Sequence, residues 1–527
     1  MRGVPPAALW TRIARTLPVA VAALALAAPA AHAQRPAPIV AGEWPDPSVI
    51  ADAGGYTAVT TSNGWAPTFR ILRSDDKRSW RIAGSVFRRR PRWAKTDFWA
   101  PEIAKLRDRY AVFYSALPRR RGAWYCLGVA TAPSATGPYR DRGRPLRCNK
   151  YGAIDPFPVR DENGVLRLLW KEDGNEFRRP TPIFAQQLSE DGQRLLGRPT
   201  ELIRNTEEWE GAVLEAPAVI RRNGFYYLFY SANLCCTRRC VYAVGVARSQ
   251  RLIGPWQKYS GNPILRTGNG WRCPGHAAVV PEPGGAFTAF YHAYRSGDRM
   301  LAGRQLVADE VGFGADGWPR IGAGAPPSPM AGAAPTAFTD SFRGRRLASA
   351  WEWLAERAPG IRVGRGLRLA APARSGRRVD GAVLGRRVRT PHYVATAIVD
   401  RRSLRGGALG GIASYRNGFT AIGGSGFEAI GAAVGRERLI VWSRRGGRFR
   451  QVLEARAPSA RLVHIRMSSR GRRLRFRVSR DGRAWRNLGP ELRNPVEENA
   501  RFALTAGGRR GAVSLFTRAS LREGSGP

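Results

Sequence analysis

The sequence predicts an all-β protein: a five-bladed β-propeller followed by a β-sandwich. Three observations carry that expectation. A short motif returns five times at near-equal spacing. The chain between its copies is cut into short aromatic and β-branched runs bounded by Gly, Pro and Asp. The texture then changes after a Gly/Ala/Pro-rich stretch that begins at Ile321.

Residues 1–33 read as a targeting segment, set apart from the fold. Arg2, Arg12 and Arg15 give a positive start, and Leu17 to Ala28 is an apolar run of 12 residues. That is shorter than the roughly 20 residues needed to span a bilayer. Ala31-His32-Ala33 has the form of a cleavage site, which puts the expected mature start near Gln34. The rest of the sequence lacks a long apolar run, so the expectation is a secreted, extracellular protein with no membrane partner.

Residues 38–320 are expected to form the propeller. Asp46-Pro47-Ser48-Val49 is echoed by Ala100-Pro101-Glu102-Ile103, Asp155-Pro156-Phe157-Pro158, Ala216-Pro217-Ala218-Val219 and His276-Ala277-Ala278-Val279. The fourth residues (49, 103, 158, 219 and 279) are 54, 55, 61 and 60 apart, a period that marks a repeat architecture. Each copy is followed by a strand-like run such as Tyr110-Ala111-Val112-Phe113-Tyr114 or Phe225-Tyr226-Tyr227-Leu228-Phe229-Tyr230. Tyr114-Ser115-Ala116 recurs as Tyr230-Ser231-Ala232, a shift of 116, and Leu127-Gly128-Val129-Ala130 as Val244-Gly245-Val246-Ala247, a shift of 117. Two repeats of about 58 residues would give such a shift, a length that suits four-stranded blades whose innermost strands line a common axis.

Residues 321–335 read as a linker, and residues 336–522 as a second all-β domain. Leu474-Arg475-Phe476-Arg477-Val478 alternates with period two, as a half-buried strand does. Ser479 to Trp485 reads as a tight turn into the next strand, and two packed sheets are the simplest architecture for such a region.

The net charge is +46, from 86 Lys and Arg against 40 Asp and Glu. A polyanion partner is one reading. The other is an Arg-rich composition spread over every surface. The second is preferred, because arginines are scattered along the chain and no nucleic-acid-binding motif accompanies them. Six cysteines fit an oxidising compartment. Cys126–Cys148 is the clearest pair. Three pairings remain for Cys235, Cys236, Cys240 and Cys273, with the adjacent pair Cys235–Cys236 the least favoured.

Three acids stand at related repeat positions: Asp46 opens the first motif, Asp155 the third, and Glu215 directly precedes the fourth. A shared axis would bring them together, and paired carboxylates in one pit are what glycoside hydrolysis needs. These residues resemble glycoside hydrolase family 43. Pro45-Asp46-Pro47-Ser48-Val49 is similar to that family's base motif, Gly152-Ala153-Ile154-Asp155-Pro156 to its modulator motif, and Leu214-Glu215-Ala216-Pro217 to its acid motif. Thr96 to Glu102 resembles its aromatic wall, Pro274-Gly275-His276 its active-site histidine segment, and Gly303-Arg304-Gln305 its arginine segment.

The resemblance implies Asp46 as general base, Glu215 as general acid, and Asp155 as the residue that orients Glu215 and raises its pKa. Arg304 would fix a sugar hydroxyl and keep Asp46 ionised. Trp99 and Trp65 would be platforms for the C–H faces of sugar rings, with blade packing the alternative for each. His276 would either bind substrate or be a packed histidine; His292, His392 and His464 read as structural, and so does Glu102. No cofactor is required by this chemistry. In some relatives the equivalent histidine touches a central Ca²⁺ or Na⁺ region, but the sequence establishes no metal ligands. The C-terminal domain resembles the concanavalin-like sandwich (jelly roll) of family 43 xylosidases, which packs on the propeller and can close one side of its pocket.

The expected activity is inverting hydrolysis of α-L-arabinofuranosyl or β-D-xylosyl bonds in a polysaccharide or oligosaccharide. The main carboxyls would then be roughly 6.5–9.5 Å apart. An endo-acting arabinanase, a galactan-cleaving relative and a non-catalytic glycan-binding propeller are the rivals.

Overall fold

In the computed structural model the described residues are Met1, Gly3 and 38–524, apart from 53, 121, 123, 237, 238, 299, 330–335, 420–424 and 497. The targeting segment expected over residues 1–33, save Met1 and Gly3, lies outside the described residues. So do residues 330–335 of the expected linker.

Five antiparallel sheets follow one another along the chain. Their first strands are Ser48–Asp52, Ala94–Lys105, Ala153–Arg160, Leu214–Arg222 and Trp271–Pro281. These strands touch in sequence, and the fifth touches the first, so they close a ring around one axis. The start of the described chain completes the ring on the fifth sheet: Ile39 N–H donates to Leu306 C=O (3.0 Å) and Trp44 N–H to Arg304 C=O (2.8 Å). The fold is a five-bladed propeller followed by a sandwich.

The five recurring motifs are five copies of one backbone device. Asp46, Ala100, Asp155, Ala216 and His276 all have left-handed φ, at 49°, 44°, 55°, 56° and 53°. None is glycine, so each carries a local conformational cost that its surroundings must hold in place. In the last four blades the strand register slips at this point, the mark of a β-bulge. Proline follows the corner in the first four blades: in the second to the fourth a bulge has already removed the ladder hydrogen bond that proline could not make, and in the first Pro47 stands just before the paired strand.

Each corner N–H is satisfied by the preceding blade. Ala100 N–H donates to Thr61 Oγ1 (2.7 Å), Asp155 N–H to Ser115 Oγ (3.1 Å), and His276 N–H to Ser231 Oγ (2.8 Å). Asp46 N–H donates to His292 Nδ1 (3.2 Å), which joins the first blade to the last. The exception is Ala216. The matching residue of the third blade is Lys171, whose ammonium has no lone pair to offer. Ala216 N–H donates instead to the Asp155 carboxylate, at 2.8 Å from Oδ2.

The sandwich consists of a nine-stranded and an eight-stranded sheet around a core that includes Leu384, Phe502, Met467 and Phe476. The eight-stranded sheet takes its edge strand, Trp65–Ala66, from the propeller; Leu354 pairs with Trp65 and Trp353 with Ala66. The junction also buries Glu352 among three arginines, Arg387 (2.8 Å), Arg501 (3.2 Å) and Arg70 (3.7 Å). Burial pushes the Glu352 carboxyl up, but the guanidiniums outweigh it and bring it down to about 2. The described part of the expected linker is not a free span. Trp271 Nε1 donates to Pro327 C=O (2.9 Å) and Asn269 Nδ2 to Pro326 C=O (3.1 Å), so this segment lies along the fifth blade.

Candidate active site

The corners open into a single well at the axis. Asp46, Asp155 and Glu215 all line it, together with Trp99, His276 and Arg304. Its volume is about 200 Å³, below the roughly 300–1,000 Å³ of drug-sized clefts. A single small ring suits it better than a long chain. Arg416, Glu498 and Asn499 of the sandwich also reach its wall. Arg416 is held there by Glu498 (3.0 Å) and Glu428 (3.6 Å).

The electrostatics divide the well in two. On one side, Arg304 Nη1 donates to Asp46 Oδ1 at 2.8 Å, and His292 Nδ1 stands 3.3 Å from the same oxygen. Burial pushes the Asp46 carboxyl up; Arg304, His292 and His276 outweigh burial and hold it far below the usual carboxylate range. Asp46 is therefore ionised. Arg304 is anchored from behind by Glu43, which accepts its backbone N–H at 2.7 Å. His276 lines the well with Nδ1 3.6 Å from Asp46 Oδ1, and burial lowers its pKa, so its imidazole is neutral at pH 7.

On the other side, both oxygens of Glu215 are held. Tyr242 Oη donates to Oε1 at 2.9 Å, and Lys171 Nζ donates to Oε2 at 2.8 Å. Lys171 is buried and also bonds Asp173 (2.9 Å) and Asn175 (2.8 Å). Burial raises the Asp155 carboxyl well above its ordinary range, and the negative charges of Glu215 and Asp46 add to the rise while Lys171 opposes it. Proton affinity is thus pushed apart within one well, lowered at Asp46 and raised at Asp155, the arrangement that acid–base chemistry requires.

Among the described residues, no group of three or more His, Cys, Asp or Glu forms a metal-ligand set. His276, the residue that resemblance ties to a central-ion region, faces Asp46.

The sequence profile of Glycosyl hydrolases family 43 matches residues 36–319, more than half of the chain. The chain belongs to that family. It is a glycosidase, an enzyme that hydrolyses glycosidic bonds. A second profile, the Beta xylosidase C-terminal Concanavalin A-like domain, matches residues 339–512. Among curated relatives, an extracellular endo-alpha-(1->5)-L-arabinanase 1 of Bacillus subtilis (strain 168) is 25% identical over 296 residues, covering 52% of this chain and 86% of that protein. A xylan 1,3-beta-xylosidase of a Vibrio species is 26% identical over 325 residues, covering 55% and 58%. Among solved structures, the xylan beta-1,4-xylosidase from Bacillus halodurans C-125 superposes with a TM-score of 0.76 at 20% identity, covering 93% of this chain and 100% of that one. At that identity the superposition speaks for the fold alone.

The family 43 well gathers six of the seven residues expected there: Asp46, Asp155, Glu215, Trp99, His276 and Arg304. Trp99 stacks on Tyr125, with ring centroids 4.1 Å apart. Trp65 is a correction. It is 1% exposed, packs edge-on against Tyr415 of the sandwich and lies under Arg501, so it is a junction residue and not a sugar platform. Its neighbour sequence in the first blade is borrowed as a sandwich strand, which the sequence of the propeller alone does not announce.

Cys126 and Cys148 are bonded. The adjacent pair is a second correction: Cys235 is bonded to Cys236, leaving Cys240 to Cys273. A left-handed Cys236 (φ 68°) makes the contiguous bridge sterically feasible. Both adjacent cysteines line the well, and Arg304 Nη1 stands 3.5 Å from Cys236 Sγ.

Lys171, Tyr242 and His292 were not anticipated as site residues. A signal for two of them exists in the repeat. Phe113-Tyr114-Ser115-Ala116 and Phe229-Tyr230-Ser231-Ala232 align with Phe290-Tyr291-His292-Ala293 and Leu169-Trp170-Lys171-Glu172. The hydroxyl that accepts a corner N–H is replaced in those two blades by an ionisable group. Tyr242 carries a weaker signal, as the counterpart of Tyr125 just before the matching Gly-Val-Ala strands. Gly275 makes room for it, since a Cβ there would sit 2.1 Å from the Tyr242 ring.

Proposed function

We propose that this enzyme is an exported, inverting exo-glycosidase that releases α-L-arabinofuranosyl or β-D-xylosyl units from plant-type polysaccharides or oligosaccharides. Asp46 acts as general base on water. Glu215 protonates the departing oxygen. Asp155 positions Glu215 through the Ala216 N–H, retains together with it the proton that Glu215 delivers, and hydrogen-bonds a sugar hydroxyl. The observation that carries this reading is the gathering of Asp46, Asp155 and Glu215 in one well, with Arg304 bonded to Asp46 and lowering its proton affinity while burial and the neighbouring Glu215 raise that of Asp155. Three carboxyl groups there can divide base and acid work without any one of them doing both.

Relatives named as arabinanase, arabinofuranosidase and xylosidase support the substrate class. The small volume of the well and the sandwich side chains on its wall support removal of terminal units. Export is supported by relatives that are named extracellular, and among the described residues no helix is long and apolar enough to cross a membrane. Arg304 fixes the orientation of Asp46 and offers its remaining N–H groups to a sugar hydroxyl, and Trp99 stacks on the ring.

A panel of aryl α-L-arabinofuranosides and β-D-xylosides, with product anomers followed by NMR, tests the proposal. Release of one of these sugars with inverted configuration at the anomeric carbon is expected. Retained configuration, or internal cleavage of a linear arabinan with no monosaccharide released, would overturn it.

A further inference from the structure

The outward face of the nine-stranded sheet gathers arginines that lie far apart in the sequence. In Leu462–Arg470, Arg473–Ser479 and Val513–Glu523 burial largely alternates from residue to residue: Met467, Phe476 and Leu521 enter the core, and their neighbours face out. Strand register then sets the outward residues in rows. One row runs Arg522, Val394, Ser468, Arg475; the next runs Ser520, Thr396, Arg466, Arg477. Beyond them Arg470 stands opposite Arg473. Rows on one face are about 7 Å apart along the strands and about 4.8 Å apart across them.

Stability does not explain this arrangement. Like charges directly opposite one another across strands are destabilising, and here Arg466 opposes Arg477 as Arg470 opposes Arg473. Glu491 compensates Arg473 (3.6 Å) and Arg475 (3.5 Å). Among the described residues, Arg466, Arg470, Arg477 and Arg522 have no carboxylate within 4 Å. Burial, with the neighbouring charges of Arg477 and Arg522, lowers the Arg466 pKa below its ordinary value. Arg466 is also fixed in place, with its guanidinium 3.8 Å from the centre of the half-buried Trp485 ring. Composition accounts for the number of arginines, not for the registered opposition of Arg466 and Arg477 with no acid beside either. None of these residues lines the catalytic well.

We propose that this face binds an acidic polysaccharide through its uronic-acid carboxylates, holding the enzyme on a charged glycan at a surface separate from the well. The guanidinium fork matches a carboxylate in two parallel hydrogen bonds. A lattice of such forks on a sheet suits an extended chain of repeating carboxylates. Reading a duplex in its groove calls for a helix or a ribbon that enters it, and the strands forming this face lie within the sheet. The choice of a glycan over another polyanion rests on the function proposed above; the cationic lattice itself does not.

Affinity electrophoresis of the full chain in polygalacturonate tests the proposal, with neutral arabinan and duplex DNA as comparison ligands at equal salt. Two triple variants are compared, each losing three charges: R466Q/R475Q/R477Q on this face, and R88Q/R89Q/R107Q on the propeller surface. Thermal melts confirm that both are folded. The face variant should lose at least about tenfold in polygalacturonate affinity and the control less than about twofold. Equal losses would reduce the effect to net charge and overturn the proposal, as would equal binding of neutral arabinan or tighter binding of DNA. Polygalacturonate offers no arabinosyl or xylosyl bond to cleave, so failure of the hydrolytic reading would leave this result standing.

Discussion

Replacing Arg304 with methionine should raise the acid limb of the pH–rate profile. Asp46 must be ionised to act as base, and Arg304 is the largest influence opposing burial at that carboxyl. The pair is 2.8 Å apart, with side chains only 9% and 11% exposed, so solvent screens it little. An adjacent arginine typically lowers an aspartate by about 1–3 pH units. At about 1.4 kcal/mol per unit, that is about 1.4–4 kcal/mol. The upper half of the range is expected, because burial would then be opposed only by His292 and His276. The sign follows from the depressed folded-state value. In the wild type, the ionised pair contributes stability above the unfolded aspartate value near 3.9 and loses it only as pH falls towards the much lower folded value. In the variant, the Asp46 carboxyl takes up its proton at higher pH, and kcat/KM falls earlier on acidification. The assay is kcat/KM against pH on an aryl glycoside, since that parameter reports the free enzyme. R304K, which retains the charge, should recover part of the shift. An acid limb that moves by less than about 0.5 pH unit in R304M would refute the reasoning.

Two further outcomes follow from the same geometry. Lys171→Met leaves Asp173 buried beside an uncharged partner and releases one oxygen of Glu215; a denaturant melt should show a loss of about 3–5 kcal/mol, and kcat should fall about 100-fold or more. Lys171→Arg should not restore it, because a planar guanidinium does not reproduce the compact ammonium that meets Asp173, Asn175 and Glu215 at once. Trp65→Ala should cost about 3–5 kcal/mol of stability by opening the propeller–sandwich junction, while KM on a small aryl glycoside stays within about twofold of wild type. A large rise in KM would return Trp65 to the substrate.

Much of the fold is legible because the propeller repeats its least comfortable residue. A left-handed corner, followed by proline in four of the five blades, leaves a sequence trace, and the five corners sit 54, 55, 61 and 60 residues apart. The carboxylates were legible for the same reason: two of them occupy that corner and the third precedes one. What the repeat hid was its second half. Thr61, Ser115, Ser231 and His292 accept four of the corner N–H groups, while Lys171 stands at the matching position of the third blade and turns to Glu215 instead. The sequence shows only the two serines as equivalent, because a hydroxyl, an ammonium and an imidazole look unrelated until their shared position is known. Trp65 misled because its neighbours in sequence belong to the propeller and its neighbours in space to the sandwich. Cys235–Cys236 misled because adjacency argues against bonding unless the backbone takes an unusual turn, and that turn is not written in the residue types. The arginine face was invisible for a different reason: cross-strand register, not sequence proximity, assembles it.

The division of labour between Asp46 and Glu215 is tested most directly by the dependence of each variant's rate on the leaving group. kcat/KM would be measured for D46N and E215Q across glycosides whose aglycones range from a poor to a highly activated leaving group. E215Q should lose about 10³-fold on the poorest leaving group and less than about tenfold on the best, because an activated aglycone departs without a proton. D46N should lose about 10³-fold throughout, because attack by water is impaired whatever departs. Equal losses for E215Q across the series, or full activity in either variant, would contradict the assignment.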